Sequence, residues 1–122
     1  MKRVRLEYLD QNEDFAACLP RTGRIAGRFT STSGVDDWYL VSLDEPISYQ
    51  IRIGEPYVFR LLETDHVLIR SRWSGQDVGE TEPTSIFLML VDPSQLPLST
   101  PIRIQDFHHV AWGMCHTLPD AA

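Results

Sequence analysis

The stretch FHHVAWGMCH, residues 107–116, carries three of the four histidines and one of the two cysteines. Imidazole nitrogen and thiolate sulfur together suit Zn²⁺, whose ligands sit about 2.0 to 2.3 Å from the ion. Spacing decides whether they can meet. In a straight strand His108, Val110, Trp112, Met114 and His116 share one face, and His109, Ala111, Gly113 and Cys115 share the other. His108 and His116 then lie about 26 Å apart and His109 and Cys115 about 20 Å apart, at about 3.3 Å per residue. A helix capped by Asp106 brings His109 only to about 10.5 Å of His116 by rise. A metal site made from His109, Cys115 and His116 therefore needs a corner at Gly113 and a further ligand, and His66 is the only other histidine. The reading adopted is a strand running through Gly113, with Val110, Trp112, Met114 and Leu118 in the core and His108 and His116 at its polar ends. No cofactor is expected, although these residue types would suit zinc or another borderline ion.

A second group is basic and aromatic. In IRSRW, Arg70 and Arg72 alternate on one strand face with Trp73 next to them, and Arg60 stands on a neighbouring strand. Guanidinium forks bind carboxylate or phosphate in two-point contacts and stack on aromatic rings. The competing reading is a solvated face whose arginines pair with acids. The loop SGQDVGETEPT, residues 74–84, follows directly. It is longer than a hairpin needs, and its Gly75 and Gly79 could act as hinges. Arg70, Arg72, Trp73, Gln76 and Asp77 are the expected ligand- or partner-binding residues. The adjacent Asp36 and Asp37 read as a solvated turn, because Ca²⁺ needs six or more oxygen ligands. A phosphate loop, a G-x-S-x-G elbow, an EF-hand, H-E-x-x-H and C-x-x-C are all missing from the sequence. No catalytic residue is assigned.

The elements that must hold these groups are short and punctuated by turn residues. Val4, Leu6 and Tyr8 alternate with charges, and a short helix is expected near residues 13–19, capped by Asn12 or Asp14 and stopped at Pro20. Phe15, Cys18 and Leu19 share its face. Strands follow at 25–29, 38–43, 47–53, 57–63, 66–73 and 85–91, with turns at Asp44-Glu45-Pro46, Gly54-Glu55-Pro56 and Glu63-Thr64-Asp65-His66. Residues 85–91 are apolar throughout, which suits burial on both faces or a dimer interface. Pro93 to Pro101 reads as an extended connector, and Ile102 to Ile104 resumes a strand.

This pattern predicts a mostly β chain, a compact small barrel or roll of about seven or eight antiparallel strands and one short helix. The alternative is an α+β fold with a C-terminal helix. With 122 residues, 43% hydrophobic and 23% charged, a single globular domain over 1–122 is expected. The net charge of −6 disfavours nucleic acid, which needs a concentrated basic face. The basic start has no apolar run behind it, so no signal peptide or membrane span is expected, and a cytoplasmic chain would keep Cys18 and Cys115 reduced. The expected function is a non-enzymatic binding or interaction module, in one version an acidic inhibitor or immunity-type protein. Its partner would be another protein or a small anionic ligand, and a homo-oligomer is allowed. The rivals are the metal-binding protein and an anion site in the barrel mouth.

Overall fold

The computed structural model describes residues 2–119 except 11, 33, 35, 36 and 74, and gives Asp37 without its side chain. The Asp36–Asp37 pair therefore lies outside the described side chains. Six strands run β1 (Arg3–Asp10), β2 (Arg21–Thr30), β3 (Asp37–Ile53), β4 (Val58–Ser71), β5 (Thr84–Leu90) and β6 (His108–Leu118), with helix α1 (Glu13–Ala16) after β1. Each strand pairs antiparallel with the next, and β6 closes back on β1, so the sheet is a closed up-and-down barrel. An even strand number lets such a meander close with every seam antiparallel, which removes the open edges that a flat sheet leaves.

The count is six rather than seven or eight, for a definite reason. Asp44-Glu45-Pro46 does not turn the chain: it lies inside the 17-residue β3. Across it the register shifts from Ser42 opposite His66 to Ile47 opposite Thr64. The segment 63–66 likewise lies within β4. What reads as four strands and three turns is one long hairpin bent at a bulge, its only turn being residues 54–57. Turn-forming residues serve both purposes, because a bulge also leaves backbone groups out of the ladder. Ile102 makes only an isolated bridge to Ser31, and Ile104–Asp106 forms a 3-10 turn, so no strand resumes there.

Inward positions form one core. Val4, Leu6, Val41, Leu43, Val67, Ile69, Ile86, Leu88, Ala111 and Cys115 are all buried in it. The two ends are closed by different devices. At one, α1 inserts Phe15, fully buried and edge-on to Tyr49 with ring centroids 5.2 Å apart. Asn12 occupies the capping position without a side-chain cap; its amide instead donates to the Tyr49 hydroxyl at 2.7 Å. At the other end the 75–83 loop folds over the opening and packs Val78 on the core.

A second core lies outside the barrel wall. Trp38, Leu40, Leu68, Met89 and Val91 point outward and are covered by the connector between β5 and β6, through Leu96, Leu98, Ile102, Ile104 and Phe107. This explains why 85–91 is apolar on both faces: one faces the barrel interior and the other faces the connector. The segment is buried within one chain, so it is not a dimer interface. Asp92 starts the connector by accepting from Ser94 N at 3.0 Å and from Arg60 at 2.9 Å, and these bonds hold its carboxyl below the usual carboxylate pKa.

Candidate functional site

β6 runs as a strand through Gly113, which pairs with Tyr8 on one side and Ile86 on the other. Gly113 is no corner. Its missing side chain has another cause: a Cβ there would stand 2.6 Å from the Glu7 carbonyl oxygen, opposite the irregular Tyr8–Asp10 step of β1. The expected core face of β6 is the wrong one beyond Val110. The register with β5 slips between Leu88–Ala111 and Met89–His109, so Val110 and Ala111 are both buried and the alternation reverses. Past that bulge Ala111, Gly113 and Cys115 face the interior, while Trp112, Met114 and His116 are on the outer surface.

The histidines and cysteine are thereby separated. Cys115 is a free thiol 1% exposed, and burial pushes its pKa up to about 12, with a smaller contribution from Glu82. His116 shares a hydrogen bond with Glu7 at 3.0 Å on the outside. His109 is about 23 Å from His116 along the strand, at about 3.3 Å per residue. Its ring stands edge-on to Phe87, and that shielding holds its pKa below 6.5 although the residue as a whole is exposed. Among the described residues no three His, Cys, Asp or Glu side chains converge on a common point. Cys18 is the other free thiol. It is half-buried, its sulfur is 3.8 Å from the Ser48 carbonyl, and its pKa is raised by burial despite nearby Arg21.

The basic group fares differently: the structure brings Arg70, Arg72 and Trp73 together and adds three rings. On the outer wall near the 75–83 loop, the Arg70 guanidinium lies 5.3 Å from the Trp38 ring centre and 4.7 Å from that of Phe87. Phe87 is edge-on to Trp112 at 5.9 Å. The Arg72 guanidinium then lies 3.5 Å over Trp112 and 5.1 Å from Trp73. The result is a row, Trp38–Arg70–Phe87–Trp112–Arg72–Trp73, drawn from four neighbouring strands. It grades from a buried end, Trp38 at 5% exposure, to an open end, Trp73 at 58%.

Such a row fixes the arginines in place. A guanidinium lying on a ring keeps its N–H donors in its own plane, directed away from the aromatic contact. No ion pair joins Arg72 to an acid among the described residues, whereas Arg3, Arg5 and Arg60 each hold one. Arg72 and Trp73 thus present an ordered cation beside an exposed indole.

Gln76 touches this group through its backbone, its N–H donating to the Trp73 carbonyl at 3.2 Å, while the side chains of Gln76 and Asp77 are engaged elsewhere. The Asp77 carboxylate accepts from the Tyr39 hydroxyl at 2.8 Å and from Val78 N at 2.9 Å, so it anchors the loop end on the barrel. The Gln76 amide donates to the Thr81 hydroxyl. The 75–83 loop is tied further by Gly79 N to Thr84 Oγ1 at 2.9 Å and by Thr117 N to Glu82. It is a plug rather than a hinged contact arm.

Two features escape the sequence reading. One is an open cleft of about 920 Å³ beside α1, walled by Asn12, Gln50, Arg52, Phe59, Leu61 and His108 among others. The other is the far half of the β3–β4 hairpin, which carries Tyr57, Val58, Phe59 and Leu61 at 59–64% exposure. The signal available was YVFRLL, apolar on both strand faces next to a turn, which a half-buried strand does not require. No protein-family model, curated protein or solved structure matches the chain.

Proposed function

We propose that the chain is a non-catalytic protein-binding module that receives an acidic group of its partner at Arg72 and packs the partner against Trp73. The observation that carries this reading is Arg72 held 3.5 Å over Trp112 with the exposed Trp73 beside it. Arg and Trp are the residue types that concentrate binding energy in interfaces, and an arginine already stacked loses less side-chain freedom on binding. The buried end of the row supports the exposed end, since Trp112 and Phe87 cannot move without disturbing Arg70. A partner covering Trp73 would remove an indole from water and give Arg72 a carboxylate, which it does not have among the described residues.

The test uses a photo-reactive phenylalanine analogue at position 73 and, as a control, at exposed Arg24, irradiated in cells producing the full chain. A discrete adduct is expected at position 73 alone. Excess unlabelled wild type should suppress it, and excess Arg72→Ala/Trp73→Ala chain should not. Equal competition by both chains, or no adduct at 73, overturns the reading.

A further inference from the structure

The projecting half of the β3–β4 hairpin has an unsatisfied edge. β4 pairs with β5 only over Val67–Ser71, while its pairing with β3 continues down to Val58. Among the described residues, no strand lies against the other side of residues 58–63. On the opposite edge of this ribbon the residues following α1 come close at Ser48, whose carbonyl lies 3.8 Å from the Cys18 sulfur.

The open edge is also apolar. Tyr57, Phe59 and Leu61 alternate along one face at 63%, 64% and 59% exposure, with Val58 at 62% and Ile53 at 39% beside them. Monomeric proteins blunt such edges with charge, proline or a covering segment. Here there is no proline between 58 and 71, and the one inner-face cation, Arg60, is already engaged by Asp92.

We infer that this edge is an interface with a second copy of the same chain, formed by antiparallel pairing of β4 with β4 about a two-fold axis at Phe59. The inference rests on the ribbon alone and does not depend on the partner proposed for Arg72. With the axis at Phe59, each Phe59 faces its counterpart, and Tyr57 of either copy faces Leu61 of the other. Val58 faces Arg60. The outer-face pairs within 57–61 are all apolar and uncharged; beyond them Glu63 comes opposite the turn residue Glu55, so the pairing is confined to 57–61. Moving the axis to Leu61 would put Phe59 opposite Glu63, and moving it to Arg60 would put two guanidinium groups together.

Charge favours the same choice. The whole chain carries −6, which opposes self-association, but residues 47–64 hold two arginines, Arg52 and Arg60, against two glutamates, Glu55 and Glu63. The ribbon is the neutral part of an acidic molecule, so two copies can meet there with their charged bodies apart. The five exposed apolar side chains offer on the order of 600 Å² per copy, and burying both sets would cover on the order of 1,200 Å², the lower end for a specific interface. A reversible dimer is the expected outcome. Because a two-fold pairing uses the same edge in both copies, it closes on two copies rather than growing into a filament.

Sedimentation equilibrium of the full chain from about 1 μM to about 1 mM should show monomer and dimer with a midpoint of about 10 to 100 μM. Phe59→Lys/Leu61→Lys should weaken the dimer at least about tenfold with unchanged melting of the dilute protein. The register has its own test in a Cys18→Ser background. Phe59→Cys should cross-link rapidly in oxidised glutathione, since facing Cα atoms at the axis lie about 4.5 to 5.5 Å apart. Glu63→Cys should not, because its two copies would stand about 27 Å apart. A wild type monomeric throughout, a dimer indifferent to the two lysines, or cross-linking that favours position 63 overturns the inference.

Discussion

The two halves of β4 share one backbone and meet opposite fates. From Val67 to Ser71 the strand is paired on both edges and covered on both faces, and Val67, Leu68 and Ile69 are each 0% exposed. From Val58 to Glu63 it is paired on one edge, and Val58, Phe59 and Leu61 each show more than half their surface. The residues themselves are alike, VLI above and VFRLL below. What differs is the covering: the connector after β5 packs Leu96, Leu98, Ile102, Ile104 and Phe107 on the outer wall at the upper half and leaves Val58, Phe59 and Leu61 exposed. Apolar sequence alone therefore does not say where the core is. It says where water must be excluded, by this chain or by another.

Thr64 marks the boundary. It is 2% exposed, and its hydroxyl donates to the Val91 carbonyl where β5 gives way to the connector. It also accepts from His66 N at 3.1 Å.

Substitutions can break this contrast or sharpen it. The largest effect is expected in the covered half: Leu68→Ala should lose about 3 kcal/mol in urea unfolding, as deletion of a fully buried leucine leaves a cavity under the connector. A loss below about 1 kcal/mol would mean the connector is loosely held. At the boundary, Thr64→Val should cost about 1 kcal/mol, since it keeps the shape but strands the Val91 carbonyl and His66 N–H. Stabilisation by this change would remove Thr64 as the seam between the halves. In the bare half, Phe59→Ser should alter the stability of the dilute protein by no more than about 0.5 kcal/mol. A larger loss there would show that the ribbon is already covered within one chain.

The smallest effect concerns His109, at the margin of the covered surface against Phe87. Its folded-state pKa lies below the unfolded value near 6.5, so the unfolded chain takes up the proton first as pH falls. Its contribution is present above pH 6.5 and declines as pH drops through the folded value. His109→Gln should therefore flatten part of the stability loss between neutral and mildly acidic pH, read as the shift in urea midpoint. An identical pH dependence in both proteins would show that Phe87 does not shield the ring.

Much of the architecture is legible in the sequence, because alternation and turn residues report strands directly. The barrel class and the strand through Gly113 follow from that pattern. Strand number does not, since Asp44-Glu45-Pro46 has the composition of a turn and the conformation of a bulge. The same limit inverts β6: one extra residue at Val110 exchanges its faces, and no residue type announces the slip. Arg70, Arg72 and Trp73 are readable as neighbours because they share a strand end. Trp38, Phe87 and Trp112 come from three other strands, and only the register brings them alongside. Asp77 looks like a surface acid until Val78 is seen to be the plug beside it.

Closure of the barrel has a kinetic consequence. Five of its six seams join strands consecutive in the chain, and the sixth brings Leu118 to Arg3. Hairpins such as β3–β4 close short loops, whereas the last seam must immobilise more than a hundred intervening residues, so it comes late. Until it zips, β1 and β6 are open edges and the inner face is wet. Pulse-labelled hydrogen exchange during refolding should find the upper β3–β4 amides protected before those of β1 and β6; simultaneous protection would mean that closure itself is the nucleating event. A chain of this design is most vulnerable to misassembly in the interval before its ends meet.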